Sequence, residues 1–245
     1  MRERLRKIFG RVDPDILGGV LVLLALLWGF AEVADEVTEG PLSIDERILL
    51  AFRDGNDLGD PLGPPWVAEM VRDLTALGSW SVTGLIVLFV TGYLLLQKRP
   101  RSALFLLVAV VGGVLLGDLL KTLFDRPRPD IVPHLADVLS ESFPSGHSTV
   151  SAVVYPTLGA MLSRVVGRVR VRIYLLIVGV ALALFVGLTR VYMGVHYPTD
   201  VLAGWTLGFA WALACWLTVT WMQKRRKVEP APRERTGASA DALSP

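Results

Sequence analysis

The chain has 245 residues, 52% of them apolar, and a mean hydropathy of +0.50, against roughly 45–50% apolar residues in ordinary soluble domains. A net charge of +2 leaves no bulk basicity to attract nucleic acid. One cysteine, Cys215, excludes an intramolecular disulfide and any multi-cysteine metal site; inside an apolar run it reads as a packing residue.

A bilayer core about 30 Å thick takes around 20 apolar residues in helix. Six stretches meet or approach that length: 16–34, 79–96, 103–124, 147–163, 171–189 and 199–222. The first follows a basic N-region, and Gly29-Phe30-Ala31 loosely fits a signal-peptide cleavage site, but its apolar core is long for a signal, so it is read as a retained span. Residues 35–78 form a long connection. Within it Ser43-Ile44-Asp45-Glu46 reads as a capping box, with Ser43 at the N-cap and Glu46 reaching back. Ile44, Ile48, Leu49 and Phe52 then fall on one face of a short amphipathic helix. The turn-rich stretch 54–65 leads to a second short helix over 66–77, and both short helices suit the membrane interface.

The fourth span is the least apolar, carrying Ser148, Thr149, Ser151 and a kinking Pro156, and is expected to lie inside the bundle. In the sixth, Gly204 and Gly208 match the small-xxx-small pattern of close helix packing, read as a contact within the bundle. Residues 1–227 are expected to form one membrane domain. The tail 228–245, rich in Pro, Ala and Ser, is expected to be disordered. The fold class is therefore all-α: a polytopic bundle of six transmembrane helices with short interfacial helices on the outer face.

With six spans, eighteen of the 25 cations fall on one side, in residues 2–11, 98–101, 164–172 and 224–235. By the positive-inside tendency that side is the cytoplasm, and both termini lie there. The other side holds Arg47, Arg53, Arg72, Lys121, Arg126, Arg128 and Arg190. Four of these seven fall in three polar clusters on that outer face: KTLFDRPRP ending the third span, PSGH opening the fourth, and TRVYMGVHYPTD joining the fifth to the sixth. Ionisable groups at such boundaries mark function.

Lys121, Arg128 and Arg190 supply donors and positive charge but no acceptor, which suits an anion with several oxygens, phosphate above all. Ser145 and Gly146 open a helix whose first amides can approach that anion. His196 and Asp200 are spaced i, i+4. On a helix they share a face, where Asp200 fixes the ring's tautomer and leaves the other nitrogen free to attack. His147 can protonate the leaving oxygen. The set amounts to phosphoryl transfer through a phosphohistidine, with no metal and no cofactor required.

These residues resemble the type 2 phosphatidic acid phosphatase (PAP2) family of integral membrane lipid phosphatases. Lys121 is followed after six residues by Arg128-Pro129; Pro144-Ser145-Gly146-His147 stands intact; Arg190, five residues, His196, three residues and Asp200 complete the pattern. Thr189 stands where the family has serine and keeps the hydroxyl. The resemblance implies a six-helix bundle and a metal-independent phosphatase. It implies His196 as nucleophile, Asp200 as its partner, His147 as acid, and Lys121, Arg128, Ser145, Gly146 and Arg190 around the phosphate. Arg126, outside the pattern, and Thr189 are held as outer contacts. A site at the outer interface points to a lipid phosphate such as phosphatidic acid, phosphatidylglycerophosphate or undecaprenyl diphosphate. The same residues would also serve a lipid phosphotransferase. A haloperoxidase using vanadate and a non-catalytic lipid-binding protein are further alternatives.

Overall fold

The computed structural model describes residues 14–224 apart from 137 and 139. The N-terminal cations at 2–11 and the tail read as disordered lie outside the described residues. Among the described residues eight α-helices follow in order: α1 (Pro14–Glu36), α2 (Ser43–Ala51), α3 (Pro65–Thr75), α4 (Trp80–Leu96), α5 (Pro100–Phe124), α6 (Gly146–Ser163), α7 (Val169–Tyr192) and α8 (Pro198–Lys224). Among the described residues there is no strand, only an isolated bridge between Arg53 and Pro61.

Helices α1, α5, α7 and α8 are each long and apolar enough to cross a membrane, and α3 with α4, meeting at 47°, supplies a fifth if the bent pair is one span. The remaining member of the expected six is α6. Its 18 residues fall short in hydropathy because its N-terminal half carries Ser148, Thr149 and Ser151. All three are buried, together with Val150 and Ala152 through Tyr155. Helix α6 packs against α5, α7 and α8, so neighbouring helices rather than lipid surround it. A span in that position has no need of a greasy exterior. Pro156 lies within the helix without ending it. The apolar outer faces of α1, α4, α5 and α7 make this a multi-pass membrane protein: Trp28, Phe89, Leu115 and Ile177 are among their exposed large side chains.

Close approach of the helices depends on missing side chains. A Cβ at Gly208 would come within 2.6 Å of both Thr149 O and Ala152 Cβ, and one at Gly204 within 2.7 Å of Ser145 O. The Gly204/Gly208 pair therefore seats α8 on α6, within the bundle. Between α6 and α7, Gly159 faces Leu175 O and Gly179 faces Tyr155 O, each at 2.7 Å from the missing Cβ.

The short helix α2 differs from expectation at its start. Its N-cap is Leu42, Ser43 is already helical, and no side chain caps it. Its register is set instead by tertiary contacts: Leu49 is fully buried beside Val191, Tyr197 and Val201, with Ile48 and Phe52 alongside. Ile44, expected on the same face, is 51% exposed, and Asp45 takes the buried place at 0%.

Gly208→Val should force α6 and α8 apart. Overpacking of this kind typically costs about 1–3 kcal/mol. A lower thermal midpoint in detergent is expected, with loss of activity because the displaced helices carry the site. Gly84→Ala, where a Cβ meets nothing within 4 Å, should leave the midpoint unchanged.

Candidate active site

The three polar stretches converge at one end of the bundle. Lys121 sits in the last turn of α5, Gly146 and His147 open α6, and Arg190 sits in the last turn of α7. Pro198 starts α8, a position that tolerates its missing N–H and fixed φ. His196 therefore precedes the helix rather than sharing a helical face with Asp200. Asp200 reaches back across the first turn, its Oδ2 accepting the Tyr197 N–H at 2.9 Å, as in a capping box. Helix spacing alone did not anticipate this arrangement, which still leaves the two side chains neighbours.

Arg128 Nη1 lies 3.2 Å from His196 Nε2. A guanidinium only donates, so Nε2 holds the lone pair and Nδ1 the proton. Nδ1 faces Asp200 Oδ2 at 3.6 Å, too long for a hydrogen bond. The Ser142 hydroxyl fills that space: it lies 3.3 Å from Nδ1 and donates to Asp200 Oδ2. Complete burial pushes the His196 ring down to about 3, against the opposing pull of Asp200, and Arg128 and Arg190 lower it further. At neutral pH the ring is uncharged, with its Nε2 lone pair accepting from Arg128.

Arg126, Lys121, Arg128 and Arg190 divide by their partners. Arg126 is paired twice, with Asp45 and with Asp200. Among the described residues, none of the other three forms an ion pair. Lys121 donates to Glu141 O (2.6 Å) and Ser140 Oγ (3.3 Å). Arg128 donates to Ser140 O and Val195 O, each at 2.6 Å. Arg190 donates to Thr75 Oγ1 at 3.1 Å, and its buried Nε has no partner. Such a trio in a partly desolvated site repels itself and favours a multivalent anion.

His147 stands within the fields of Arg190, His196, Arg128 and Lys121. Its ring packs over Gly78, where a Cβ would approach it to 3.2 Å. Lys121 Cε passes Gly146 at 3.6 Å from the position a Cβ would take. Ser145 is buried; its N–H donates to Asp200 O at 3.0 Å and its Oγ accepts from Ser148. The first α6 amides beyond it have no intrahelical partner, as at any helix start. Thr189 does not reach the cluster, since its hydroxyl donates to Val186 O of its own helix.

Four contributors were not anticipated. Ser142 stands two residues before Pro144, outside the PSGH stretch. Asp45, Thr75 and Arg53 come from residues 35–78. Arg53 is 4% exposed and donates to Tyr192 O at 2.9 Å, bracing the turn that carries His196. Asp45 is buried one helical turn before Leu49, on the packed face of α2. A cavity of about 730 Å³ lies elsewhere, between Tyr93, Arg99, Phe105, Met161, Arg164 and Trp216.

A model of the PAP2 superfamily matches residues 102–225. The chain belongs to that superfamily. It is 35% identical over 147 residues to phosphatidylglycerophosphatase B of Bacillus subtilis, covering 59% of this chain and 71% of that protein. It is 33% identical over 168 residues to the lipid A 1-phosphatase of Rhizobium etli, covering 59% and 68%. A crystal structure of a transmembrane PAP2 type phosphatidylglycerolphosphate phosphatase from Bacillus subtilis superposes with a TM-score of 0.70 at 29% identity, over 82% of this chain and 96% of that one.

This PAP2 protein has three histidines, which makes their nitrogen resonances assignable by substitution. Because the folded value of His196 is depressed, its neutral form should persist as pH falls. Its ¹⁵N signals should stay in the neutral, Nδ1-protonated pattern from pH 8 to pH 5. A titration midpoint near the ordinary value of about 6.5 would contradict the burial described above.

Proposed function

We propose that the protein hydrolyses a lipid phosphate monoester or diphosphate through a phosphohistidine on His196. The observation that carries this reading is the pairing of two environments on one ring. Nε2 faces unpaired cations, and Nδ1 is backed by Ser142 and Asp200. The names of the two relatives described above, a phosphatidylglycerophosphatase and a lipid A 1-phosphatase, also state phosphatase activity.

The chemistry runs in two steps. Nε2 attacks phosphorus, the phosphorus–oxygen bond to the lipid breaks, and His147 gives its proton to the departing oxygen. Lys121, Arg128, Arg190 and the first amides of α6 hold the non-bridging oxygens, where preorganised donors stabilise developing charge. Asp200 offsets the positive charge gained by the ring. Water, deprotonated by His147, then attacks the phosphohistidine and inorganic phosphate leaves. The protein's own cations neutralise the phosphate, so the reaction needs no metal.

The cation distribution supports a site on the extracytoplasmic side, with both termini in the cytoplasm. There a headgroup reaches the cluster while its chains stay in the bilayer. Phosphatidic acid, phosphatidylglycerophosphate and undecaprenyl diphosphate fit this geometry.

Purified protein in detergent should release phosphate from at least one of these three lipids in the presence of EDTA. His196→Ala should abolish turnover; retained turnover, or loss with chelator, sinks the phosphohistidine reading. Arg128→Ala and Arg190→Ala should each lower kcat roughly 10²–10³-fold, the scale of deleting one charge-stabilising donor. A loss under tenfold would make the residue peripheral. Asp200→Asn should cripple turnover with the fold intact, as judged by gel filtration and thermal midpoint.

A further inference from the structure

Asp45 is a fully buried carboxylate on a short helix outside the membrane-spanning set, yet its contacts lead directly to the nucleophile. Its Oδ1 accepts the Thr199 N–H at 3.0 Å, and its Oδ2 accepts the Thr199 hydroxyl at 2.6 Å and Arg126 Nη2 at 3.2 Å. Arg126 Nη1 in turn donates to Asp200 Oδ1 and, at 2.9 Å, to Thr199 Oγ1. The guanidinium lies 4.4 Å over the Tyr197 ring. Arg126 is 6% exposed, and both carboxylates are at 0%. Three segments distant in sequence thus place two negative charges and one positive charge in a single buried cluster.

The sum of those charges is the informative quantity. Arg126 with Asp200 alone would be a neutral pair, and Asp200 would have little net charge to offer His196. Asp45 takes a share of Arg126 and leaves the cluster one net negative charge beside the imidazole. A neutral ring needs little from that charge. A ring bonded to phosphorus is positive, and in a desolvated site it needs the charge most.

We propose that Asp45 is a positioning residue for the phosphoryl-transfer step: by sharing Arg126 with Asp200 it keeps a net negative charge behind His196 and so stabilises the phosphorylated ring. Asp45 touches neither substrate nor ring. The inference rests on His196 as nucleophile, the reading given under Proposed function. The charged or titratable groups acting on His196 are Asp200 from α8, Arg128 from the α5–α6 connection, Arg190 from α7 and His147 from α6; Lys121 from α5 acts on His147, and Arg126 reaches the ring only through Asp200.

Asp45→Asn keeps the shape and an acceptor oxygen but removes the charge. With a short-chain phosphatidic acid in detergent, kcat should fall on the order of 10- to 100-fold, the usual scale for losing an outer-shell partner. KM and the inhibition constant of inorganic phosphate should stay within about threefold, because the three unpaired cations are untouched. Arg126→Gln leaves two buried negative charges unopposed and should be worse. Asp45→Asn with Arg126→Gln restores one net negative charge and should exceed Arg126→Gln alone in kcat by at least about tenfold. Residues acting independently of one another on kcat would instead show losses that multiply. The proposal is overturned by an Asp45→Asn kcat within twofold of wild type, by multiplying losses, or by a phosphate inhibition constant that worsens as much as kcat. Alkaline quenching of wild-type turnover separates the two readings. Absence of phosphohistidine removes His196 as nucleophile, whereas phosphohistidine in wild type with unchanged kcat in Asp45→Asn removes only the role given to Asp45.

Discussion

Three cations are held side by side at one end of a membrane bundle, and among the described residues none of them forms an ion pair. Like charges in a low-dielectric setting repel, and desolvation adds to the cost. Backbone carbonyls of Ser140, Glu141 and Val195 offset part of this for Lys121 and Arg128, and Thr75 does so for Arg190. Carbonyl dipoles satisfy donors without cancelling charge, so the site stays electropositive. Arg126 shows the other solution within the same stretch of chain: it is paired on both sides and serves as a strut. The two arginines on either side of Pro127 thus differ in their partners: Arg126 pairs with two carboxylates, whereas Arg128 donates to backbone carbonyls.

Holding such a site requires a rigid frame, and glycine supplies it. Helix α6 is approached by α8 at Gly204 and Gly208, and α6 and α7 meet at Gly159 and Gly179. In the bilayer, where burial of apolar area gives no drive for helix association, such close contact is the main source of cohesion. The same seam fixes the functional ends: Ser145 N–H donates to Asp200 O, joining the start of α6 to the first turn of α8. Packing within the membrane and registry of the site are thus one structural fact. Outside the membrane, α2 and Arg53 brace the turn before α8 from the opposite side.

Much of this was legible in the sequence because the site residues lie in three short motifs whose spacing survives in one chain. The all-helical fold followed from the apolar runs, and convergence at one end followed from the even number of crossings between the motifs. Less legible was anything depending on contacts between distant segments. Asp45 meets Thr199 across 154 positions, and no local pattern announces that. The supposed capping box dissolved for the same reason: tertiary bonds, not the helix's own amides, claim the side chains of α2. His196 and Asp200 are close as expected, but through a proline-started first turn and a serine hydroxyl rather than a shared helical stripe. Helix α6 reads as a weak span because hydropathy describes contact with lipid, and this helix meets mostly protein.

That last feature bears on how the protein is made. A segment opening with His147, Ser148 and Thr149 and lacking a strongly apolar surface gains little by partitioning alone from the translocation machinery into lipid. Its stable residence depends on α5, α7 and α8 being at hand to receive it. Helix α6 therefore gains its settled place only once α7 and α8 have followed it from the ribosome, so the polar end of the bundle closes after α8 has been made.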